Sequence, residues 1–253
     1  MTALPPALTP AVLGGAAVLD LSDNTNLYGT PPAALRVLRE GACDGIAGYP
    51  SPQADNLRAA LARHLATPME CVTTGCGSDD VLDSTIRAMA QPGERIAFPD
   101  PTFSMIPMLA RRNRLEAAPV PLTAGFDIDA PGLLATGARI IYLCSPNNPT
   151  GTAASRGAVE QVLDRASGVV LLDEAYAEFA GTDFLAESAR RPNLLIVRTL
   201  SKAFGLAGLR PLDGNVDALY AAFKGKEKHF KTYRNETMPE EYHFRDNPRI
   251  PPV

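Results

Sequence analysis

The stretch GVVLLDEAY, residues 168–176, decides the architecture that we expect for this chain. Four consecutive apolar residues, two of them β-branched, are followed directly by Asp173 and Glu174. Such a run is typical of a strand that is buried on both faces of a parallel sheet. The stretch therefore predicts a strand over 168–173, with acidic side chains at the edge of the sheet where that strand ends.

Similar apolar runs occur on both sides of this stretch, at 95–98, 138–144 and 194–198. Segments with helical periodicity separate the runs. Residues 53–66 carry Leu57, Leu61 and Leu65 at every fourth position, and 155–166 is a second such segment. This alternation predicts an α/β fold with a mostly parallel sheet covered by helices. In such folds the chemistry lies at the carboxyl ends of the strands.

The composition excludes several classes of protein. The 253 residues, 45% hydrophobic and 21% charged, suffice for one large core, and the net charge of −4 gives no electrostatic reason to expect nucleic acid or a membrane as partner. The apolar run 11–19 has no preceding Lys or Arg, which favours a docking segment over a signal peptide. The cysteines form no CxxC pair, which argues against zinc and favours reduced thiols in a cytoplasmic protein: Cys43, Cys71, Cys76 and Cys144.

The composition changes abruptly near residue 211. Residues 1–223 contain one lysine, Lys202, and four more then follow within eight positions: Lys224, Lys226, Lys228 and Lys231. The α/β alternation stops at about Arg210, and Pro211 breaks any continuing helix. We therefore expect residues 211–253 to form an atypical tail.

Two loops carry residues of catalytic type. Lys202 follows the strand predicted at 194–198, and a lysine used covalently must be unprotonated in a shielded pocket. Asp173 can pair with a buried cation such as a pyridinium nitrogen, and Tyr176 could reach an oxygen of the same ring. Taken alone, a surface lysine and a helix N-cap aspartate are the simpler interpretations.

Two more loops predict ligand-binding groups at the same edge. Residues 145–151, SPNNPTG, form a rigid turn that carries the amide of Asn148. Residues 75–79, GCGSD, open a helix, and small residues there let backbone N–H groups approach a phosphate near Gly77, Ser78 and Asp79. Any short glycine turn would look the same, so this second signal is weak by itself.

Together these motifs resemble those of fold type I (class I/II) pyridoxal-phosphate (PLP) aminotransferases, specifically the histidinol-phosphate aminotransferase group. The matching stretches, in the family's order, are LSDNTNLYGTPP (21–32), GYPSPQADNLRAALARHL (48–65), GCGSDD (75–80), FPDPTFSM (98–105), CSPNNPTG (144–151), LLDEAYAEF (171–179) and RTLSKAFGLAGLR (198–210). The resemblance implies an N-terminal segment, 1–30, over the substrate site and an incomplete PLP-binding large domain, 31–210.

The resemblance also implies a role for each matching residue. Lys202 would hold PLP as a Schiff base and move the catalytic proton, Asp173 would pair with the ring nitrogen, and Tyr176 would bond the ring oxygen. The resemblance also implies that Asn148 would bond the ring oxygen and that Phe103 would stack on the ring, where the family usually has tyrosine. The phosphate would be held by Gly77, Ser78, Asp79, Ser201 and Arg210. Tyr49 would reach the phosphate of a neighbouring subunit, and Asn26 and Tyr28 would lie over the substrate. The role of Tyr49 implies a homodimer.

The chain departs from the family after Arg210. The family continues with a small C-terminal domain whose arginine binds the substrate carboxylate, whereas residues 215–253 weakly resemble a nucleotide pyrophosphatase/phosphodiesterase fragment. The implied function is transamination of an amino acid, with histidinol phosphate and 2-oxoglutarate as the expected substrates in histidine biosynthesis, without a metal. The alternatives are a PLP-dependent decarboxylase of the same fold, a truncated or fused inactive remnant, and a phosphodiesterase-like module in the tail.

Overall fold

The computed structural model describes residues 11–13, 16–18, 23–26, 28–41, 49, 51–181, 183–188, 190–209 and 218–222. The strands are β1 Ala11–Leu13, β2 Ala16–Val18, β3 Val72–Cys76, β4 Arg95–Asp100, β5 Glu116–Pro121, β6 Ile140–Cys144, β7 Val169–Asp173, β8 Leu194–Arg198 and β9 Ala218–Ala222. The helices are α1 Pro32–Gly41, α2 Asp55–His64, α3 Ser78–Met89, α4 Met105–Arg112, α5 Ala130–Ala135, α6 Arg156–Arg165, α7 Ala177–Ala180 and α8 Leu185–Ser188. None of the helices in these ranges is long and apolar enough to cross a membrane.

A seven-stranded sheet in the order β3-β9-β8-β7-β6-β4-β5 forms the centre of the molecule. The pairs β4–β5, β4–β6, β6–β7 and β7–β8 are parallel. β9 is antiparallel to both β3 and β8, so β3 runs in the same direction as β8. The expected mostly parallel sheet is thereby confirmed. β1 and β2 form a separate antiparallel pair.

The central strands β6, β7 and β8 are buried on both faces under helices, which explains why they read as continuous apolar runs. All five residues of β6 are buried. Ile140, Tyr142 and Cys144 belong to the core cluster beneath α3 and α4. Ile141 and Leu143 belong to the cluster on the other face, with α5 and α6. A residue's place along the strand therefore decides which of the two helical layers it meets.

The strands and helices predicted from the sequence are present with boundaries within two residues. The start of α6 shows the physical reason for one such boundary. The Ser155 hydroxyl accepts the N–H of Ala158 and caps the helix, so the regular helix begins at Arg156. The prediction of 155–166 thus included both the cap and the residue after the last turn.

Five residues of the predicted tail, β9, lie inside the sheet between β3 and β8. Val72 pairs with Ala222, and Ile196 pairs with the same residue from the other side. The rest of the tail lies outside the described residues, so the domain boundary at 211 stays a prediction.

Candidate functional site

The predicted loops meet at one edge of the sheet, where β3, β6, β7 and β8 end. The strand register aligns Cys144 with Asp173 and Asp173 with Val197, so these three strands end side by side. The loop with Asn148 follows β6, Asp173 ends β7, and Lys202 follows β8. α3 starts two residues after β3, and its N-terminus lies at the same edge.

Asp173 is a buried carboxylate, 3% exposed. Its Oδ2 accepts the Tyr142 hydroxyl at 2.8 Å, and its Oδ1 accepts the Ala175 N–H at 3.0 Å. Burial raises the pKa of Asp173 to about 6, although these two hydrogen bonds oppose the increase. Asp173 does not cap a helix, because α7 begins at Ala177 with Tyr176 as its N-cap residue. Each carboxylate oxygen has two lone pairs, so Asp173 can accept a further donor.

Tyr142, which sequence reasoning missed, is fully buried beside Asp173. Burial and the neighbouring Asp173 charge hold the pKa of Tyr142 well above its usual range, so its hydroxyl acts as a donor. Within the run 138–144 a tyrosine looks like any aromatic residue that favours strands. The available signal was its position, two residues before the predicted end of its strand at Cys144 and therefore close to the edge that carries the site.

Lys202 and Tyr176 lie together beneath the N-terminal segment. The Lys202 Nζ donates to the Asp23 carbonyl at 2.9 Å and lies 5.9 Å from the centroid of the Tyr176 ring. The half-buried Tyr176 hydroxyl accepts the Asn24 amide at 3.1 Å, and burial raises the pKa of this tyrosine. Asn24, another residue that sequence reasoning missed, therefore joins the N-terminal segment to the loop after β7.

Asn26 holds the loop that carries Lys202. Its Nδ2 donates to the carbonyls of Lys202 at 3.2 Å and Ala203 at 3.0 Å, and its Oδ1 accepts the Tyr28 N–H at 3.0 Å. Thr30 adds a bond from its hydroxyl to the Gly205 carbonyl at 2.9 Å. The Tyr28 side chain is exposed, and so is that of Tyr49.

Asn147, next to the predicted Asn148, fixes the turn after β6. Its buried side chain donates to the Pro101 carbonyl at 3.0 Å and the Thr150 hydroxyl at 2.9 Å, and accepts the Thr102 hydroxyl at 2.9 Å. This ties the turn to the loop that carries Phe103. Phe103 is partly buried against the cluster under α3 and α4, and Asn148 is partly exposed.

The start of α3 requires its glycines. A Cβ at Gly75 would come within 2.7 Å of the Val81 side chain, and Gly77 has a φ of +86°. The first N–H groups of the helix, those of Ser78 and Asp79, have no partner within the helix and lie at its positive end. The carboxylates of Asp79 and Asp80 reduce the positive potential there, and Asp80 accepts the Cys76 N–H at 2.8 Å.

Two predicted phosphate ligands remain to be located. Ser201 is buried, and its N–H donates to the Thr199 hydroxyl at 3.1 Å. Arg210 lies outside the described residues. No group of three or more His, Cys, Asp or Glu side chains suited to a metal ion occurs within the described part of the chain.

An ionic cluster around the buried Arg198 connects the ends of β7 and β8. Arg198 donates to Glu174 Oε2 through Nε at 3.0 Å and Nη2 at 2.8 Å, and to Asp183 at 2.7 Å. Glu178 lies 3.4 Å from the same guanidinium. Glu174 is 1% exposed and also accepts the Phe184 N–H, so the residue next to Asp173 is held on two sides.

Comparisons with known proteins agree with this geometry. The histidinol-phosphate aminotransferase of Roseiflexus castenholzii is 41% identical over 200 residues, which are 76% of this chain and 54% of that protein. That of Methanocorpusculum labreanum is 40% identical over 196 residues, 75% of this chain and 54% of the relative. The chain thus spans about half the length of the curated relatives that it matches.

The crystal structure of histidinol-phosphate aminotransferase from Sinorhizobium meliloti in complex with pyridoxal-5′-phosphate is similar, with a TM-score of 0.73 and 27% identity, covering 84% of this chain and 58% of that one. These matches give no support to the resemblance of residues 215–253 to nucleotide pyrophosphatases. The family model for aminotransferase class I and II matches residues 16–211. The chain therefore belongs to the aminotransferase class I and II family.

Proposed function

We propose that this chain binds pyridoxal 5′-phosphate at the carboxyl edge of its sheet and that the protein transaminates an amino donor. The proposed substrate is histidinol phosphate, with 2-oxoglutarate as the partner. The main support for this proposal is the buried Asp173 carboxylate, which can accept a further hydrogen bond. It lies at the same edge of the sheet as Lys202, the single lysine of residues 1–223. The names of the relatives, several of them histidinol-phosphate aminotransferases, support the choice of substrate.

The chemistry of this edge fits the cofactor. A pyridinium nitrogen needs a buried anion, and Asp173 supplies one. A phosphate needs unpartnered N–H groups at a helix N-terminus, which Ser78 and Asp79 supply at α3. An aldehyde needs a primary amine, and Lys202 supplies one at this edge, where its Nζ donates to the Asp23 carbonyl. Phe103 offers an aromatic face.

When bound, the cofactor supplies an electron sink that stabilises negative charge at the substrate Cα. The chain's own residues would do the rest. Lys202 would hold the cofactor covalently and, once released by substrate, would carry the proton at the substrate Cα. Asp173 would keep the ring nitrogen protonated, while Tyr176 and Asn148 would bond the ring oxygen. Ser201 and Arg210 would join the α3 N–H groups at the phosphate.

We further propose that the protein acts as a homodimer. The side chains of Tyr28 and Tyr49 are 89% and fully exposed, respectively, which is unusual for large aromatic residues. Contact with a second copy would bury these rings, with Tyr49 at the phosphate of the neighbouring site. Asn26, which holds the Lys202 loop, would act on the substrate through that loop.

The test is an absorbance spectrum of the purified chain with added cofactor, before and after borohydride reduction. We expect a near-visible band that is missing from Lys202→Ala. Borohydride should remove this band while it fixes the cofactor covalently on Lys202. Lys202→Arg is the matched control, because it keeps the positive charge without a nucleophilic amine. A folded, soluble chain that shows no such band would be an inactive remnant, and the proposal would fail.

Product analysis then separates transamination from the alternative reaction of the same fold. With histidinol phosphate and 2-oxoglutarate we expect glutamate as product. Candidate substrates that carry a carboxylate should release no CO₂. If one of them did release CO₂, the protein would be a decarboxylase and the proposal of transamination would be wrong.

A further inference from the structure

We propose that Tyr142 is a positioning residue of this site: its hydroxyl keeps the Asp173 carboxylate ionised and oriented, so that the shared proton lies on the cofactor's ring nitrogen. The inference deepens the proposed function and rests on it for the identity of the ring. It concerns a residue inside a strand, outside every loop that carries the family motifs.

The sheet itself sets the contact between these two residues. Tyr142 pairs in register with Leu171 on the neighbouring strand, and Asp173 follows two residues later on the same face. The tyrosine hydroxyl lies 2.8 Å from the Asp173 Oδ2. Tyr142 is fully buried and Asp173 is 3% exposed, so water does not compete for this bond.

Burial gives this hydrogen bond its importance. An aspartate without water tends to keep its proton, and this tendency is opposed by donors aimed at the anion and by nearby positive charges. Two donors face Asp173, the Tyr142 hydroxyl and the Ala175 N–H. The backbone N–H orients one oxygen, and Tyr142 is the side-chain donor that lowers the pKa of Asp173 against the effect of burial.

Three titratable groups near Asp173 in the described part of the chain, Asp79, Cys144 and Tyr176, do not stabilise its charge. Asp79, at the start of α3, raises the pKa of Asp173 by charge repulsion. Cys144 is buried on the same face, and burial raises the pKa of its thiol, so it stays neutral. The Tyr176 hydroxyl accepts from Asn24, and burial raises its pKa also. Tyr142 therefore has the largest favourable effect of a side chain on the Asp173 carboxylate.

The variant Tyr142→Phe removes one oxygen and keeps the ring that packs the core. In the full chain without cofactor, the Asp173 carboxyl carbon can be titrated by NMR with labelled aspartate, its resonance assigned by its loss in Asp173→Asn. We expect the titration midpoint in Tyr142→Phe to rise by about one pH unit or more, as expected for the loss of a hydrogen bond to a charged group. Ile140→Val, a buried change on the same strand and face, should leave the midpoint unchanged.

The effect of Tyr142 on the protonation of the ring nitrogen is tested with pyridoxamine 5′-phosphate labelled with ¹⁵N in the ring. This form of the cofactor makes no covalent bond with lysine. We expect a pyridinium-like ¹⁵N shift in the wild-type chain and in Ile140→Val. In Tyr142→Phe the shift should move toward that of a neutral pyridine, and further in Asp173→Asn. A residue that only fills space would not change this shift.

An unchanged Asp173 midpoint in Tyr142→Phe, or an unchanged ¹⁵N shift, would overturn the inference. If the wild-type chain bound no pyridoxamine phosphate, the proposed function would fail, whereas the midpoint would still decide whether Tyr142 controls Asp173. If Tyr142→Phe did not fold, 3-fluorotyrosine at position 142 offers a second variant. Its more acidic hydroxyl is a stronger donor and should lower the midpoint.

Discussion

Asp173 is the residue at which function and stability conflict most directly. Its pKa of about 6 lies above that of an aspartate in the unfolded chain, because burial favours the protonated form. Folding is therefore favoured by protonation: this stabilisation is complete below the unfolded pKa and is lost as the pH rises through about 6. In the chain without cofactor the buried Asp173 charge costs stability. A cationic ring nitrogen beside Asp173 would compensate this charge.

We predict that Asp173→Asn stabilises the cofactor-free chain at pH 8 by about 2 to 3 kcal/mol. The gain should shrink to below about 1 kcal/mol at pH 4, close to the unfolded pKa of aspartate, where Asp173 of the folded chain is protonated. Urea denaturation at the two pH values measures both numbers. A gain that did not depend on pH would contradict the argument.

Asp127 provides a control of opposite sign for that experiment. Its slight burial raises the pKa, but hydrogen bonds from Ser155 and the Ile128 N–H outweigh this, and the net pKa of Asp127 is lowered. Its contribution to stability is present above the unfolded pKa and is lost as the pH falls through the folded value. Asp127→Asn should therefore cost stability at pH 8 and less at pH 4.

At the scale of elements, the ends of β7 and β8 are joined by one buried guanidinium. Arg198 binds Glu174, directly after β7, and Asp183, just before α8. Glu174→Ala would remove the partner that makes two of its hydrogen bonds and leave a buried charge partly compensated. We expect a loss of about 3 kcal/mol in the free energy of unfolding.

Glu178→Ala is the matched control for this change. Glu178 touches the same guanidinium at 3.4 Å but is partly exposed, so its removal should cost less than about 1 kcal/mol. Urea denaturation of the two variants at pH 7 measures the difference. Equal losses would mean that burial does not decide the strength of these pairs.

At the scale of the whole molecule, β9 joins the two parts of the sheet. It pairs with β3 on one side and β8 on the other, and without it both strands would present unpaired backbone groups. We predict that a chain ending at residue 210 aggregates or melts at a lower temperature than the full chain. A chain ending at residue 223 keeps β9 and is the control. Size-exclusion chromatography and thermal melting compare the three, and identical behaviour would show that β9 is dispensable.

The sequence by itself determined the alternation of strands and helices and the four loops of the site. Runs such as 168–173 predicted strands correctly because burial on both faces demands apolar residues at every position. Lys202, Asp173 and Asn148 could be singled out because polar residues directly after such runs must lie at the edge of the sheet. The N-cap interpretation of Asp173 remained open until the start of α7 at Ala177 was known.

Only the tertiary structure decided which groups meet across strands. The hydrogen bond from Tyr142 to Asp173 depends on the register of β6 against β7. The hydrogen bonds of Asn26 to the Lys202 loop connect residues that are separated by 176 and 177 positions in the sequence. The place of β9 inside the sheet, between β3 and β8, is a third example. Local sequence sets whether a segment forms a strand or a helix. Which strands pair depends on the packing of the entire core, so the pattern along one strand does not identify the strand that lies beside it.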